Sequence, residues 1–292
     1  DQVNKILRTL ENRGGFLNYF GLQRFGTHRP NSHIVGKSLL EGNYEKTIYE
    51  LVAPHFPKET EEAVIARKTY GETNDPVETL KVLPDSLYYE KIVLEYLADN
   101  PGDFKGALLA LPSTIVSIYV YSYQSFLFNE VISRRVNDSL DVIINPELGD
   151  IVSLLDVRHG QMTRVRYKVT SSMQERLAKH INRGKATITV PIIGTEVRVH
   201  QKNPFYEFYN EVIDEENITM DIFKRPSKDF SFSLNGVYRP MALFPRNINI
   251  VETAKDNMYN GKNSIRISFK LPKGTYATMF LREIMKIENE FL

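Results

Sequence analysis

The sequence contains no cysteine among its 292 residues. This absence excludes disulfide bonds, thiolate nucleophiles, and zinc or iron–sulfur sites that depend on cysteine ligands. No apolar run reaches the roughly 18 residues that a membrane-spanning helix needs, and the N-terminal residues lack the apolar segment of a secretory signal. We therefore expect a soluble, cytoplasmic protein with no membrane partner.

Motifs of several common enzyme classes are also missing. The tripeptide at residues 36–38 (GKS) resembles the end of a phosphate-binding P-loop, but Asn31 stands where that motif needs its first glycine. The six histidines form no HExxH pair, and no GxSxG motif is present. The sequence therefore predicts no metal site, and a hydrolase has no nucleophile motif to support it.

The composition is that of an ordinary globular protein, with 42% hydrophobic and 25% charged residues. At about 150 residues per domain, the length predicts two domains. Helical periodicity predicts helices over residues 114–136, 174–182, 206–213 and 278–291. Alternating polar and apolar residues predict strands over residues 186–191, 230–234 and 264–271. This mixture has no regular βαβ rhythm and favours an α+β fold.

The net charge is only +1, but the charges are unevenly distributed. Residues 41–103 contain fourteen acidic side chains and six Lys or Arg, whereas residues 158–202 contain ten Lys or Arg and two Glu. A basic segment inside a neutral protein is typical of phosphate contacts, but it is equally typical of a solvated surface. Both explanations remain open from charge alone.

One segment has an unusual composition: residues 14–26 read GGFLNYFGLQRFG. Its glycines allow close backbone approach, and its aromatic rings offer flat faces for bases. Asn18 and Gln23 can each donate and accept hydrogen bonds, while the Arg24 guanidinium can bind a phosphate or carboxylate. The same residues could instead form a tightly turned pair of core strands, because aromatic residues are often buried.

Within this segment, NYFGLQRFG at residues 18–26 resembles the signature of the TruD family of tRNA pseudouridine synthases. Three further blocks resemble family blocks and occur in the family's order. They are YQSFLFNEVISRR at 123–135, LNGVYRP at 234–240 and LPKGTYATMFLREIMK at 271–286. The resemblance therefore spans nearly the whole chain.

The resemblance implies an α+β fold in which a pseudouridine synthase core with a mixed, mainly antiparallel sheet is interrupted by a large α+β insertion. The core would comprise residues 1–43 and 245–292, and the insertion residues 44–244. The basic segment would then lie on the insertion and face an RNA cleft. The side chains expected to contact the RNA backbone are Arg158, Arg164, Arg166, Lys168, Arg183 and Lys185.

The function implied by the resemblance is isomerisation of a uridine in tRNA, uridine 13 of the D-arm, to pseudouridine. This rearrangement involves no net redox change, so we expect no cofactor, and tRNA is the only partner implied. The uridine must leave its stack, and a carboxylate must lie beside its ribose.

The resemblance also implies roles for individual residues in the substrate site. Phe20 would stack on the uracil, Asn18 would orient the base or ribose, and Arg24 would support the loop or contact the backbone.

Independently of the resemblance, Arg282 and Lys286 lie one turn apart on one face of the predicted C-terminal helix. Arg282 could lie beside the catalytic carboxylate and keep it ionised. Glu283 or a surface carboxylate could equally pair with it, and both cations could be ordinary helix-end residues.

The family's catalytic aspartate belongs to a Gly-Lys-Asp motif upstream of the signature. Here the sole aspartate before Asn18 is Asp1, with no lysine in front of it. We therefore expect the nucleophilic aspartate to lie outside these 292 residues, in an N-terminal part of the core that is missing. The alternative is a catalytically inactive relative that binds RNA.

Overall fold

The computed structural model describes residues 2–12 and 15–285. It is 48% helix and 16% strand, which confirms the α+β prediction. The α-helices are α1 (Gln2–Asn12), α2 (Ser32–Glu41), α3 (Tyr44–Val52), α4 (Glu61–Thr73), α5 (Pro76–Leu80), α6 (Tyr88–Asp99), α7 (Phe104–Leu109), α8 (Ser113–Asp138), α9 (Gln174–Asn182), α10 (Phe205–Glu215), α11 (Arg225–Asp229) and α12 (Ala277–Met285). The strands are β1 (Phe16–Leu17), β2 (Ile151–Leu155), β3 (Met162–Lys168), β4 (Ala186–Ile192), β5 (Val237–Pro240), β6 (Ala242–Leu243), β7 (Arg246–Lys255) and β8 (Asn263–Lys270).

The strands form three antiparallel sheets among the described residues. A four-stranded sheet has the order β3-β2-β4-β5, and two smaller sheets pair β1 with β6 and β7 with β8. Every residue of β4 is buried, which suits its β-branched sequence ATITVPI. The strand β3 is at an edge of the large sheet, and its residues from Arg164 to Lys168 are exposed.

The longest helix, α8, packs against α2 over a glycine. A Cβ atom at Gly36 would lie 2.0 Å from the carbonyl oxygen of Tyr119, a distance that real Cβ atoms do not show. Glycine at this position therefore allows the two helices to approach closely. Gly36 belongs to the GKS tripeptide, so that tripeptide has a packing role here.

Most of the predicted elements are confirmed. The helices predicted over 114–136, 174–182 and 206–213 correspond to α8, α9 and α10, and the strands predicted over 186–191 and 264–271 correspond to β4 and β8. The helix predicted over 278–291 is present as α12 up to Met285, and the rest of that range lies outside the described residues.

The strand predicted over residues 230–234 is wrong, because this segment joins no sheet. Ser231 has a φ of 60°, which interrupts an extended chain. Phe230 packs edge-on against Tyr44, and Phe232 contacts Tyr121. The alternating aromatic residues therefore fill gaps between helices and do not form one face of a strand.

Two clusters of buried apolar side chains form the core. The larger one extends through the helices α2 to α10 and the four-stranded sheet, and it includes Phe20 and Phe25. The smaller one joins α1, β1 and α12 through Leu10, Phe16 and Phe280. The segment 15–26 thus contributes to both clusters. The division into a core of residues 1–43 and 245–292 and an insertion of residues 44–244 stays a prediction.

Candidate functional site

A cleft of about 610 Å³ brings together the four sequence blocks that carry the family resemblance. The first block supplies Asn18, Phe20 and Arg24 to its lining, and the third supplies Arg239. Gln124 of the second block and Lys273 of the fourth also line it. Segments far apart in the sequence therefore meet at one concave surface, where binding sites usually lie.

Glycines and a side-chain amide shape the first block. Gly26 has a φ of 109°, and a Cβ atom there would lie 2.0 Å from the carbonyl oxygen of Arg29, so only glycine fits this turn. Asn129 of α8 accepts a hydrogen bond from the Phe20 amide at 2.9 Å and donates one to the Phe20 carbonyl at 3.0 Å. The long helix thereby fixes the position of Phe20.

The Phe20 ring lies in the cleft wall but is only 6% exposed. The guanidinium carbon of Arg239 lies 4.0 Å from the ring centroid, and that of Arg24 lies 5.3 Å from it. The edge of Phe128 contacts the same ring with a centroid distance of 5.3 Å. The ring and the guanidinium group of Arg239 thus form one packed unit.

Arg239 is the residue that sequence reasoning missed. Its Nε donates to the Asn18 carbonyl at 3.1 Å, its Nη2 to Asn18 Oδ1 at 2.9 Å, and its Nη1 to the Gly274 carbonyl at 2.8 Å. Burial lowers the pKa of Arg239 to about 10. Its position within LNGVYRP was the only available signal, since the contacts span 221 residues of sequence.

Asn18 is 1% exposed, and both polar atoms of its side chain have protein partners. Its Oδ1 accepts from Arg239, and its Nδ2 donates to the Pro240 carbonyl at 3.1 Å. In this structure Asn18 therefore positions Arg239. Its direct contact with the base or ribose stays a prediction.

Two positively charged side chains lie close together in the lining of the cleft. Arg24 and Arg239 lie beside the same ring, and the charge of Arg24 contributes to the lowered pKa of Arg239, after the larger effect of burial. Neither guanidinium forms an ion pair with a carboxylate of residues 2–12 or 15–285. An uncompensated pair of cations in a concave site is suited to binding an anion such as phosphate.

Part of the basic segment lies beside this cleft. The Arg166 guanidinium packs at 4.8 Å over the ring of Tyr238, which lines the cleft. Arg158 belongs to the β2–β3 turn. Two other residues of this turn, Gly160 and Gln161, line the cleft. The Asp156 carboxylate holds this turn by accepting hydrogen bonds from the backbone amides of Arg158 and Gln161.

The other predicted backbone contacts are all exposed but differ in position. Arg164 and Lys168 lie on the same edge strand as Arg166. Arg183 ends α9 and lines a neighbouring cavity of about 310 Å³, which shares Gly160 with the cleft. Lys185 lies just before β4. All six remain predictions as RNA contacts.

Arg282 does not line the cleft. It lies on α12 and lines a second cavity of about 450 Å³, whose lining shares Phe20 with the cleft. Lys286, the other cation predicted on this helix face, lies outside the described residues. The structure therefore places Arg282 in a cavity that Phe20 also lines, whereas Asn18 and Arg24 line only the cleft.

The described part of the chain lacks two features. It contains no group of three or more His, Asp or Glu side chains arranged to hold a metal ion. None of its helices combines the length and the apolar character that crossing a bilayer requires.

Comparison with known proteins identifies the family. The family model described as tRNA pseudouridine synthase D (TruD) matches residues 1–284. The chain is 32% identical over 98% of its length to a protein from Methanococcoides burtonii, and 35% identical over 97% to one from Pyrococcus abyssi, both named probable tRNA pseudouridine synthase D. It covers 64% and 66% of those proteins, so it spans just under two thirds of their length.

A solved structure gives the same result. The crystal structure described as a tRNA pseudouridine synthase D from Methanosarcina mazei matches 99% of this chain and 65% of its own, with a TM-score of 0.84 and 32% identity. The residues that the family model matches include all four blocks that meet at the cleft, apart from the last two residues of the fourth block. The chain belongs to the TruD family of tRNA pseudouridine synthases.

Proposed function

We propose that this protein isomerises a uridine of tRNA to pseudouridine, and that the target is uridine 13 of the D-arm. Membership of the TruD family supports the reaction class. The observation that carries the proposal is the cleft itself, in which Phe20, Arg24 and Arg239 combine an aromatic ring with two guanidinium groups. A flipped base stacks on a flat surface, and the phosphates of its nucleotide are bound by cationic side chains.

The reaction rearranges uridine without adding or removing atoms. The bond from N1 to C1′ breaks, the uracil turns, and a bond from C5 to C1′ forms; C5 then loses its proton and N1 gains one. A carboxylate acts either as the nucleophile at C1′ or as the base. The 292 residues contain no Gly-Lys-Asp motif before Asn18, and we name none of their carboxylates for this role.

The packed unit of Phe20 and Arg239 is the proposed surface for the uracil. Proteins that bind extruded bases stack them on aromatic rings or on guanidinium planes. Three hydrogen bonds hold the guanidinium of Arg239 in place, so the surface is organised before RNA arrives. Arg24, whose Nε has no hydrogen-bond partner in the described structure, is the proposed contact for a phosphate of the flipped nucleotide.

The RNA backbone on either side of the flipped nucleotide is proposed to follow the exposed basic side chains. These are Arg158, Arg164, Arg166, Lys168, Arg183 and Lys185, in the part of the chain proposed as the insertion (residues 44–244). Arg166 contacts Tyr238, which lines the cleft. Each phosphate that such a side chain neutralises releases counterions and makes binding dependent on salt.

Release of the C5 hydrogen provides the test. tRNA labelled with tritium at C5 of its uridines should lose label to water when incubated with the protein. The expected loss is the tritium of one uridine per tRNA, and a tRNA with cytidine at position 13 should lose no tritium. Equal release from both RNAs would overturn the assignment of uridine 13 and leave the reaction class in place.

A second function is RNA binding without chemistry, which the exposed basic side chains from Arg158 to Lys185 would support without a reacting carboxylate. It predicts tight, salt-dependent binding of tRNA with no release of tritium. The same preparation is therefore measured for tRNA binding and for tritium release. Binding together with release supports the isomerase, and binding without release, in a preparation whose intact mass exceeds 33.7 kDa, contradicts it.

A further inference from the structure

The second cavity, of about 450 Å³, has no role in the function proposed so far. Its lining includes Phe20 and the next aromatic residues of the same segment, Tyr19 and Phe25. Because Phe20 lines both cavities, a ligand in the second cavity would lie next to the proposed uracil site. The volume is within the range of about 300–1,000 Å³ that is usual for small-ligand pockets.

Flat rings dominate the lining of this cavity. The His33 ring stacks on Phe126, with ring centroids 5.0 Å apart and an interplanar angle of 21°. The edge of Phe25 contacts His33 at 5.4 Å. Tyr19 is held through its hydroxyl by the hydroxyl of Ser133 at 3.1 Å. Fixed, flat apolar walls of this kind are suited to a planar heterocycle.

Polar groups of complementary type reach the same cavity. Nδ1 of His33 is buried and has no hydrogen-bond partner in the described structure. Arg282 supplies donors and forms no ion pair with a described carboxylate, whereas the half-buried Glu130 supplies an acceptor. Burial raises the pKa of Glu130. Donors and acceptors around flat rings match the edge of a nucleobase.

We propose that this second cavity binds the base of a nucleotide adjacent to the target uridine. This inference rests on the proposed function, because it needs RNA in the neighbouring cleft. It gives Arg282 a role different from the one that the sequence predicted, namely contact with a flanking base. Asn129 also lines the cavity, but both of its polar side-chain atoms are bonded to the Phe20 backbone, so it belongs to the wall.

A thermodynamic cycle tests the proposal. The RNA is a fluorescein-labelled D-arm stem-loop containing the target uridine, and each flanking nucleotide in turn is replaced by an abasic one. Kd is measured by anisotropy for the full chain and for Arg282→Met. For the unchanged protein, one abasic position should weaken binding about 10-fold, because the stacking of one base on the protein is lost. For Arg282→Met, the same replacement should cost less than about 3-fold.

Controls separate base recognition from a general effect of charge. Lys68→Met removes an exposed helical cation from the acidic segment and should leave the abasic penalty at about 10-fold. If the thermal transition shows that Arg282→Met does not fold, Glu130→Gln replaces it as the variant in the cycle. This substitution leaves the cavity volume almost unchanged. Coupling at one flanking position in either variant supports the proposal.

Additive penalties at every flanking position would overturn the second base site. So would an unchanged protein that binds the intact stem-loop and tolerates all of the abasic replacements. In both cases RNA binding persists, so the proposed function survives. Failure to bind the intact stem-loop at all would instead overturn the proposed function, and this inference with it.

Discussion

Buried arginines in the helical part of the molecule differ from the partly buried Arg239 in the cleft. Arg135 of α8 is 1% exposed and donates two hydrogen bonds of 2.6 Å to the carboxylate of Asp150, which is fully buried. Arg67 of α4 is equally buried and pairs with Glu59 at 2.6 Å and Glu90 at 2.8 Å. In both places each buried cation has a carboxylate beside it.

Arg239 is bound only to carbonyl and amide oxygens and to aromatic rings. Its charge is not matched by any carboxylate that the structure describes within ion-pair distance. A matched pair holds helices and loops together, whereas an unmatched cation in a concave surface retains attraction for an incoming anion. The comparison therefore separates arginines that stabilise the fold from one that prepares a binding site.

The largest expected effect is a loss of stability when a buried arginine that is paired with a carboxylate is replaced. Arg135→Met should lower the free energy of unfolding by about 3–5 kcal/mol, because Asp150 would be left charged and unpaired in the core. Urea denaturation measures the change. Arg134→Met, which removes an exposed set of ion pairs from the same helix, should cost less than about 1 kcal/mol. Equal losses for the two variants would contradict the assigned difference.

A smaller loss of stability is expected when Arg239, which has no described carboxylate partner, is replaced. Arg239→Lys keeps the charge but cannot make the three hydrogen bonds, so unfolding should become easier by about 1–3 kcal/mol. Binding of tRNA should change less than about 3-fold, while tritium release should fall at least about 10-fold, because the uracil surface is no longer held.

The control for this variant is Arg225→Lys, which loses a hydrogen bond to the Leu40 carbonyl away from the cleft. Its tritium release should equal that of the unchanged protein. If Arg239→Lys loses stability but keeps full activity at saturating tRNA, then Arg239 supports the fold alone.

Salt dependence tests whether the basic edge strand extends the cleft's positive surface. Arg164→Gln should reduce the slope of log Kd against log salt concentration by about 0.7–0.9, the contribution of one phosphate contact. Lys81→Gln removes a cation that is paired with Glu78 in the acidic segment and should leave the slope unchanged. Identical slopes for both variants would place the RNA elsewhere.

The smallest effect concerns His33 in the second cavity, where burial lowers the pKa of the imidazole below 6.5. In the unfolded chain this histidine takes up a proton near pH 6.5, whereas in the folded protein it resists protonation until a lower pH. Stability contributed by neutral His33 is therefore complete above pH 6.5 and declines as pH falls below it.

Urea denaturation between pH 7.5 and 5.5 measures this effect. His33→Gln should show a shallower decline than the unchanged protein, by at most about 1.4 kcal/mol per pH unit. Declines of equal steepness would mean that His33 titrates normally in the folded state.

Sequence reasoning identified the segment that lines the cleft, but it did not predict the contacts within that segment's surroundings. The segment 18–26 indicated the family because its motif is contiguous and can be recognised in the sequence alone. Arg239 was missed because its partners, Asn18 and Gly274, are distant in sequence, and only folding brings them together. Arg282 was predicted to lie beside the catalytic carboxylate, and in the structure it lines a separate cavity, which it shares with Phe20.

Local patterns also misled in one place. The alternation FSFSL at 230–234 satisfies the rule for a strand, yet Phe230 and Phe232 pack separately against helices. Periodicity reports which residues avoid water, and it cannot distinguish a sheet from a loop that fills helical gaps. The long helix α8 was predictable because its apolar period continues over many turns.

The most direct test of the account is photocrosslinking of this chain to tRNA that carries 4-thiouridine at position 13. The crosslinked peptides are identified by mass spectrometry, and a tRNA with the probe in the anticodon loop serves as the control. The account predicts crosslinks from position 13 to residues 18–26 and 234–240, the two blocks that contain the proposed uracil surface. Crosslinks confined to the acidic helices within residues 41–103, or equal from both probe positions, would contradict it.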